Sequence, residues 1–147
     1  MKFIQRATTL LAATTLAAAG TLMAGASPAS AASITFAFDS GTGWGQIVVL
    51  RDGKSAGSMY WNSDPDSSLG WPGDAFLVHD NLADGYGIEA HLVSGTVDRV
   101  ATTRGKNAPY TSPWNTGNLP EGLQIALHVC YVKGTSSICS AKMIKGA

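Results

Sequence analysis

The stretch QIVVLRDGKSAGSMYW, residues 46–61, decides the fold class. Gln46–Arg51 carries a near-continuous apolar run from Ile47 to Leu50, the pattern of a strand covered on both faces. Asp52-Gly53 is a tight-turn signal, because the favoured two-residue hairpin turn needs positive φ at its centre. Lys54–Trp61 returns from it as the partner strand. Working outward, Ile34–Phe38 alternates, so Ile34, Phe36 and Phe38 share one face. Ala75–His79 reads as a strand. Tyr86–Val93 alternates again, with Tyr86, Ile88, Ala90 and Leu92 facing in and Gly87, Glu89 and His91 facing out. Val97–Thr103, Gln124–Lys133 and Ile138–Ile144 complete about eight strands, and no segment beyond residue 31 keeps helical periodicity over three turns. The expected fold is all-β, a single-domain antiparallel β-sandwich.

Residues 1–31 read as a secretory signal peptide. Lys2 and Arg6 give a positive start, an Ala/Leu/Thr run follows from Ala7 to Met23, and Ala29-Ser30-Ala31 supplies the small-x-small cleavage pattern. The run is interrupted by Thr8, Thr9, Thr14, Thr15, Gly20 and Thr21, too polar for a membrane span. The expectation is a secreted, extracellular protein whose mature domain is 32–147, with no membrane attachment after cleavage. Of the ten basic residues Lys2 and Arg6 leave with the leader, so eight face ten acidic ones. Without a basic cluster, neither nucleic acid nor an anionic membrane is an expected partner. Fifteen of the 17 glycines stay in the mature domain, well above the roughly 7% average and a sign of many turns.

The two cysteines lie in CYVKGTSSIC, residues 130–139. A Gly134-Thr135 hairpin turn places Lys133 opposite Ser136, Val132 opposite Ser137, Tyr131 opposite Ile138 and Cys130 opposite Cys139. The cysteines then occupy a non-hydrogen-bonded pair, where α-carbons approach to roughly 4.5 Å, within reach of a disulfide. Export favours oxidation, so Cys130 and Cys139 are expected to form a structural bridge.

Asn62, Asp64 and Asp66 put oxygen ligands at alternate positions, as a calcium loop does at its start. The glycine expected after the third ligand is Ser67, however, and the closing carboxylate falls on Gly73, so these residues read as turn formers. His79, His91 and His128 show no metal-ligand spacing, and His91 reads as a solvated strand residue. No metal and no cofactor is expected. Catalysis fares no better: the G-x-S-x-G elbow is absent, no spacing sets Glu89 against Glu121, and a triad would have to be assembled from His79, Asp80 and some serine. The chain is not read as an enzyme.

Aromatic residues in turns are the functional lead. Trp44 sits between Gly43 and Gly45, Trp71 between Gly70 and Pro72, and Trp114 after Pro113. Tyr60-Trp61 closes the second hairpin, and Tyr110 shares a long connection with Trp114. Tryptophans flanked by Gly and Pro belong to surface loops, where flat rings are platforms for sugar faces or anchors for protein partners. Trp44, Trp61, Trp71, Tyr110 and Trp114 are therefore the candidate ligand-binding residues.

The segment Val78–Ala90, VHDNLADGYGIEA, together with Val129-Cys130 and Ile138-Cys139-Ser140 on the closing strand pair, resembles small secreted actinomycete proteins of uncharacterised function. The resemblance implies a β-sandwich and secretion and assigns no activity or catalytic residue. The expected function is a monomeric, non-catalytic binding module for an extracellular glycan or cell-envelope ligand. The alternative is an extracellular inhibitor or protein–protein interaction domain presenting the Pro-bearing loop from Gly105 to Gly122, with a small secreted hydrolase third.

Overall fold

A computed structural model describes residues 31–147, so the signal-peptide reading, Ala31 apart, lies outside the described residues. The strands are β1 (Ile34–Gly41), β2 (Trp44–Arg51), β3 (Lys54–Asn62), β4 (Ala75–Asp80), β5 (Gly87–Ser94), β6 (Val97–Thr102), β7 (Tyr110–Thr111), β8 (Gln124–Lys133), β9 (Ser136–Cys139) and β10 (Met143–Gly146). Among the described residues there is no helix, hence none long and apolar enough to cross a membrane. The first sheet runs β1-β2-β3-β4-β7. In the second, β6, β5 and β8 lie side by side, and β9 and β10 share the far edge of β8 end to end. All pairings are antiparallel, and the two sheets pack face to face as the sequence leads one to expect.

Alternation decides what is buried. Ile47, Val49, Met59, Trp61, Phe76 and Val78 of the first sheet meet Ile88, Ala90, Leu92, Ile125, Leu127, Val129 and Tyr131 of the second in one apolar core. Asp52 and Gly53 have φ of 51° and 77°, so the first hairpin turn forms as its sequence dictates. A bulge between Val49 and Leu50 leaves Ala56 without a partner and sets the phase of the rest of β3. Gly57 follows where the sheets pass closely: a Cβ there would lie 2.3 Å from the His79 carbonyl oxygen and 2.5 Å from Ile88 Cγ1.

The hairpin register closing at Lys133–Ser136 and Cys130–Cys139 is the one derived from sequence. The Ser140 N–H donates to the Val129 carbonyl, so the adjacent cysteines form a non-hydrogen-bonded pair, bridged with a Cα–Cα distance of 4.0 Å. Two expectations need correction. Ile138–Ile144 is not one strand, because the chain leaves β8 at Ser140 and rejoins it at Met143. The connection from Gly105 to Gly122 is not a free loop either, since it contributes β7 to the first sheet.

Two polar locks tie the sheets together. At one end the Asp84 carboxylate accepts hydrogen bonds from Arg51 of β2 and Tyr131 of β8. Burial opposes its ionisation, but hydrogen bonds from Tyr131, the Tyr86 N–H and Arg51 hold its carboxyl below the usual range. At the other end Arg99 of β6 reaches across the core. Its Nη2 donates to the carbonyls of Asp74 (2.8 Å) and Asn115, its Nε donates to Asn115 Oδ1 (3.0 Å), and its guanidinium lies 5.3 Å from the Phe76 ring centre. Gly117 is packed against it, with room for no side chain: a Cβ would stand 2.7 Å from Arg99 Nη1.

Replacing Arg99 by Met keeps the aliphatic stem but orphans the Asp74 carbonyl and takes one of two donors from the Asn115 carbonyl, which keeps the Phe76 N–H. We expect a loss of about 2–4 kcal/mol in urea unfolding, and an unchanged midpoint would show that the lock is dispensable. Asp80 yields a pH prediction. Its side chain is 1% exposed, and burial pushes its carboxyl above the ordinary 3.8 despite hydrogen bonds from the Leu82 N–H and Thr103. A group protonated to higher pH when folded than when unfolded costs stability as pH rises from its unfolded value through its folded one. Asp80→Asn should therefore gain stability over the parent as pH rises above the ordinary carboxyl value, and a pH-independent difference between the two would contradict this.

Candidate functional site

The outer face of the first sheet gathers the aromatic residues. Trp44 on β2 and Tyr60 on β3 both point away from the core, their neighbours Gly45 and Trp61 pointing into it. Their rings stack with centroids 5.9 Å apart and planes within 5°. Trp71 is brought over the sheet by the connection between β3 and β4, where Asp66 and Trp71 form an isolated bridge. It meets Tyr60 edge-on at 5.0 Å, and Trp114 follows at 5.7 Å. Trp114 is held by its neighbour Asn115, which bridges to Phe76 and binds Arg99. The four half-buried rings make one continuous row.

Beside the row runs an open groove of ≈ 310 Å³ lined by Ser58, Tyr60, Trp71, Leu77, His79, Thr111 and Trp114. Polar atoms are few and placed along one flank. His79 Nδ1 and Thr111 Oγ1 are 2.5 Å apart, and Ser58 lies opposite His79 in the strand register. Burial, with Asp39 nearby, pushes the Tyr60 hydroxyl up, so it stays a neutral donor and acceptor. Apolar platforms with a few convergent polar groups are the composition of a ligand site rather than of a bare core patch.

The structure brings together Trp44, Trp71 and Trp114 of the expected set and sets two residues apart. Trp61 is fully buried, its indole N–H without a partner, and is a core residue. The physical reason is strand alternation: adjacent Tyr60 and Trp61 must face opposite sides. Tyr110 stands on the edge strand β7 with Lys106 5.7 Å from its ring centre, away from the row. Tyr60, singled out only as the neighbour of Trp61, joins the row instead.

The remaining candidates occupy other roles. The Asn62 side-chain amide donates to the carbonyls of Asp64 (2.5 Å) and Pro72 (3.0 Å). Asp66 Oδ1 accepts from the Ser68 N–H and hydroxyl and the Leu69 N–H. Asn62, Asp64 and Asp66 thus build the turn that carries Trp71. His79 points outward and the buried Asp80 inward, on opposite faces of β4. A larger cavity of ≈ 640 Å³ at one end of the sandwich is lined by Arg104, Lys106 and Lys133, but each cation is engaged: Arg104 with Glu89, Lys133 with the Tyr86 ring, Lys106 with Tyr110. Comparison of the chain with protein-family models, curated proteins and solved structures returns no match to any of them.

Proposed function

We propose that the protein is a secreted, non-catalytic binding module that takes an extended extracellular glycan along the row Trp44–Tyr60–Trp71–Trp114. The observation that carries this reading is the continuity of the row, three successive ring contacts of 5.9, 5.0 and 5.7 Å on one sheet face. The C–H faces of pyranose rings are apolar and match aromatic faces, while their hydroxyls need the donors and acceptors that Tyr60, His79 and Thr111 supply. A row of several rings suits a chain of sugars rather than a single one. The apolar lining and the absence of a basic cluster along the groove disfavour a polyanion. The inhibitor alternative asks for a projecting loop, yet the 105–122 connection is pinned by Ser112, Asn115 and Leu119, whose backbone or side chains bind Val78, Arg99 and Asp74.

Tryptophan fluorescence with a panel of soluble polysaccharides tests the proposal. We expect a saturable shift with at least one neutral glycan, weakened about tenfold or more (about 1.4 kcal/mol) in each of Trp71→Ala and Trp114→Ala. Tyr110→Ala should bind as the parent does. Silence across the panel, or equal affinity in both tryptophan variants, would remove the glycan reading.

A further inference from the structure

The outer face of the second sheet carries a different chemistry. Strands β5 and β8 set His91 directly opposite His128, and both rings stand on the side away from the core. The rings are parallel within 3°, with centroids 4.8 Å apart. Glu89 lies two residues before His91 on the same face, with Oε1 3.4 Å from His91 Nε2. Arg104 takes chiefly the other oxygen, through Nε at 2.7 Å, and touches Oε1 only at 3.4 Å through Nη2. His128 Nδ1 is buried and makes no hydrogen bond. Donor atoms of His91, His128 and Cys130 all fall within 4.8 Å of one another, but the Cys130 sulfur is committed to its disulfide and carries no thiolate charge. His91, read from sequence as solvated, is instead half-buried within this cluster.

We infer that this face binds a divalent transition cation of the zinc or copper type, with His91 and His128 as imidazole ligands and Glu89 as the carboxylate ligand. Two imidazoles and one carboxylate suit borderline ions of this kind, and the mixed set disfavours calcium and magnesium, which select oxygen ligands. Zinc–nitrogen bonds of about 2.0–2.1 Å require the donors to close in on the ion. Imidazole lone pairs lie in the ring plane, so the parallel rings must turn edge-on and the stack opens. Burial and the facing His91 disfavour a proton on His128, Lys142 acts in the same sense and Asp98 in the opposite one. Because the site lies on the other sheet from the aromatic row, it stands independently of the glycan reading.

The chain holds three histidines, which makes the test decisive. The oxidised protein, labelled with ¹⁵N at histidine, is titrated with zinc ion alone and followed by NMR. We expect saturation at one equivalent, with the ring nitrogens of His91 and His128 shifting and those of His79 still. His91→Ala and His128→Ala should each weaken zinc binding about tenfold or more, and His79→Ala should leave it intact. Each variant is compared at matched fold by circular dichroism, and Glu89→Gln, which preserves shape, should weaken binding severalfold. Unshifted ring signals, parent-like affinity in the His91 or His128 variant, or loss of binding in the His79 variant would overturn the site. Parent-like affinity in Glu89→Gln would overturn the carboxylate's part.

Discussion

The guanidinium of Arg99 is the constraint from which much of the rest follows. A cation drawn off the edge of one sheet into the space between two must replace its lost water with fixed acceptors. Its Nη2 finds them in the carbonyls of Asp74 and Asn115, one at the entry to β4 and the other in the long connection before β8, while Nη1 is buried without an acceptor. The Asp74 carboxylate in turn accepts from the Leu119 N–H at 2.8 Å, so Arg99 and Asp74 together hold the segment from Asn115 to Leu119. Trp114 precedes that segment directly. The half-buried aromatic row therefore rests on a polar lock behind it.

The sandwich divides its work between faces. Apolar side chains meet on the two inner faces, the Asp84 and Arg99 locks sit at the ends, and the outer faces are left to diverge. One outer face is an aromatic ledge with few charges. The other is titratable, with paired imidazoles, a carboxylate and a disulfide at its edge. Such divergence costs the fold little, since outer-face side chains are set by alternation and contribute less burial than inner ones.

How much of this the sequence discloses depends on how local the cause is. The Asp52-Gly53 turn and the cysteine hairpin could be read because a two-residue loop fixes its own register. Trp61 was misplaced because the phase of β3 depends on the bulge at Ala56, which needs the partner strand to be seen. Alternation alone would still have warned that Tyr60 and Trp61 cannot both face solvent. The meeting of Trp71 with Trp114 rests on two separate connections laid over one sheet, and no local spacing encodes it. The His91–His128 pair is more hidden still, since residues far apart in sequence become neighbours only through the register of β5 on β8.

The order of strands carries a kinetic consequence. In the first sheet β1 to β4 form a meander, each strand pairing with the next in sequence, and the first two hairpins close over the short turns Thr42-Gly43 and Asp52-Gly53. The seam between β5 and β8 must instead span β6, β7 and the long connection, and its loop-closure entropy falls due before any native contact compensates it. The disulfide joins cysteines only 9 residues apart, both on the β8 side of the seam, so it does nothing to bring β5 and β8 together.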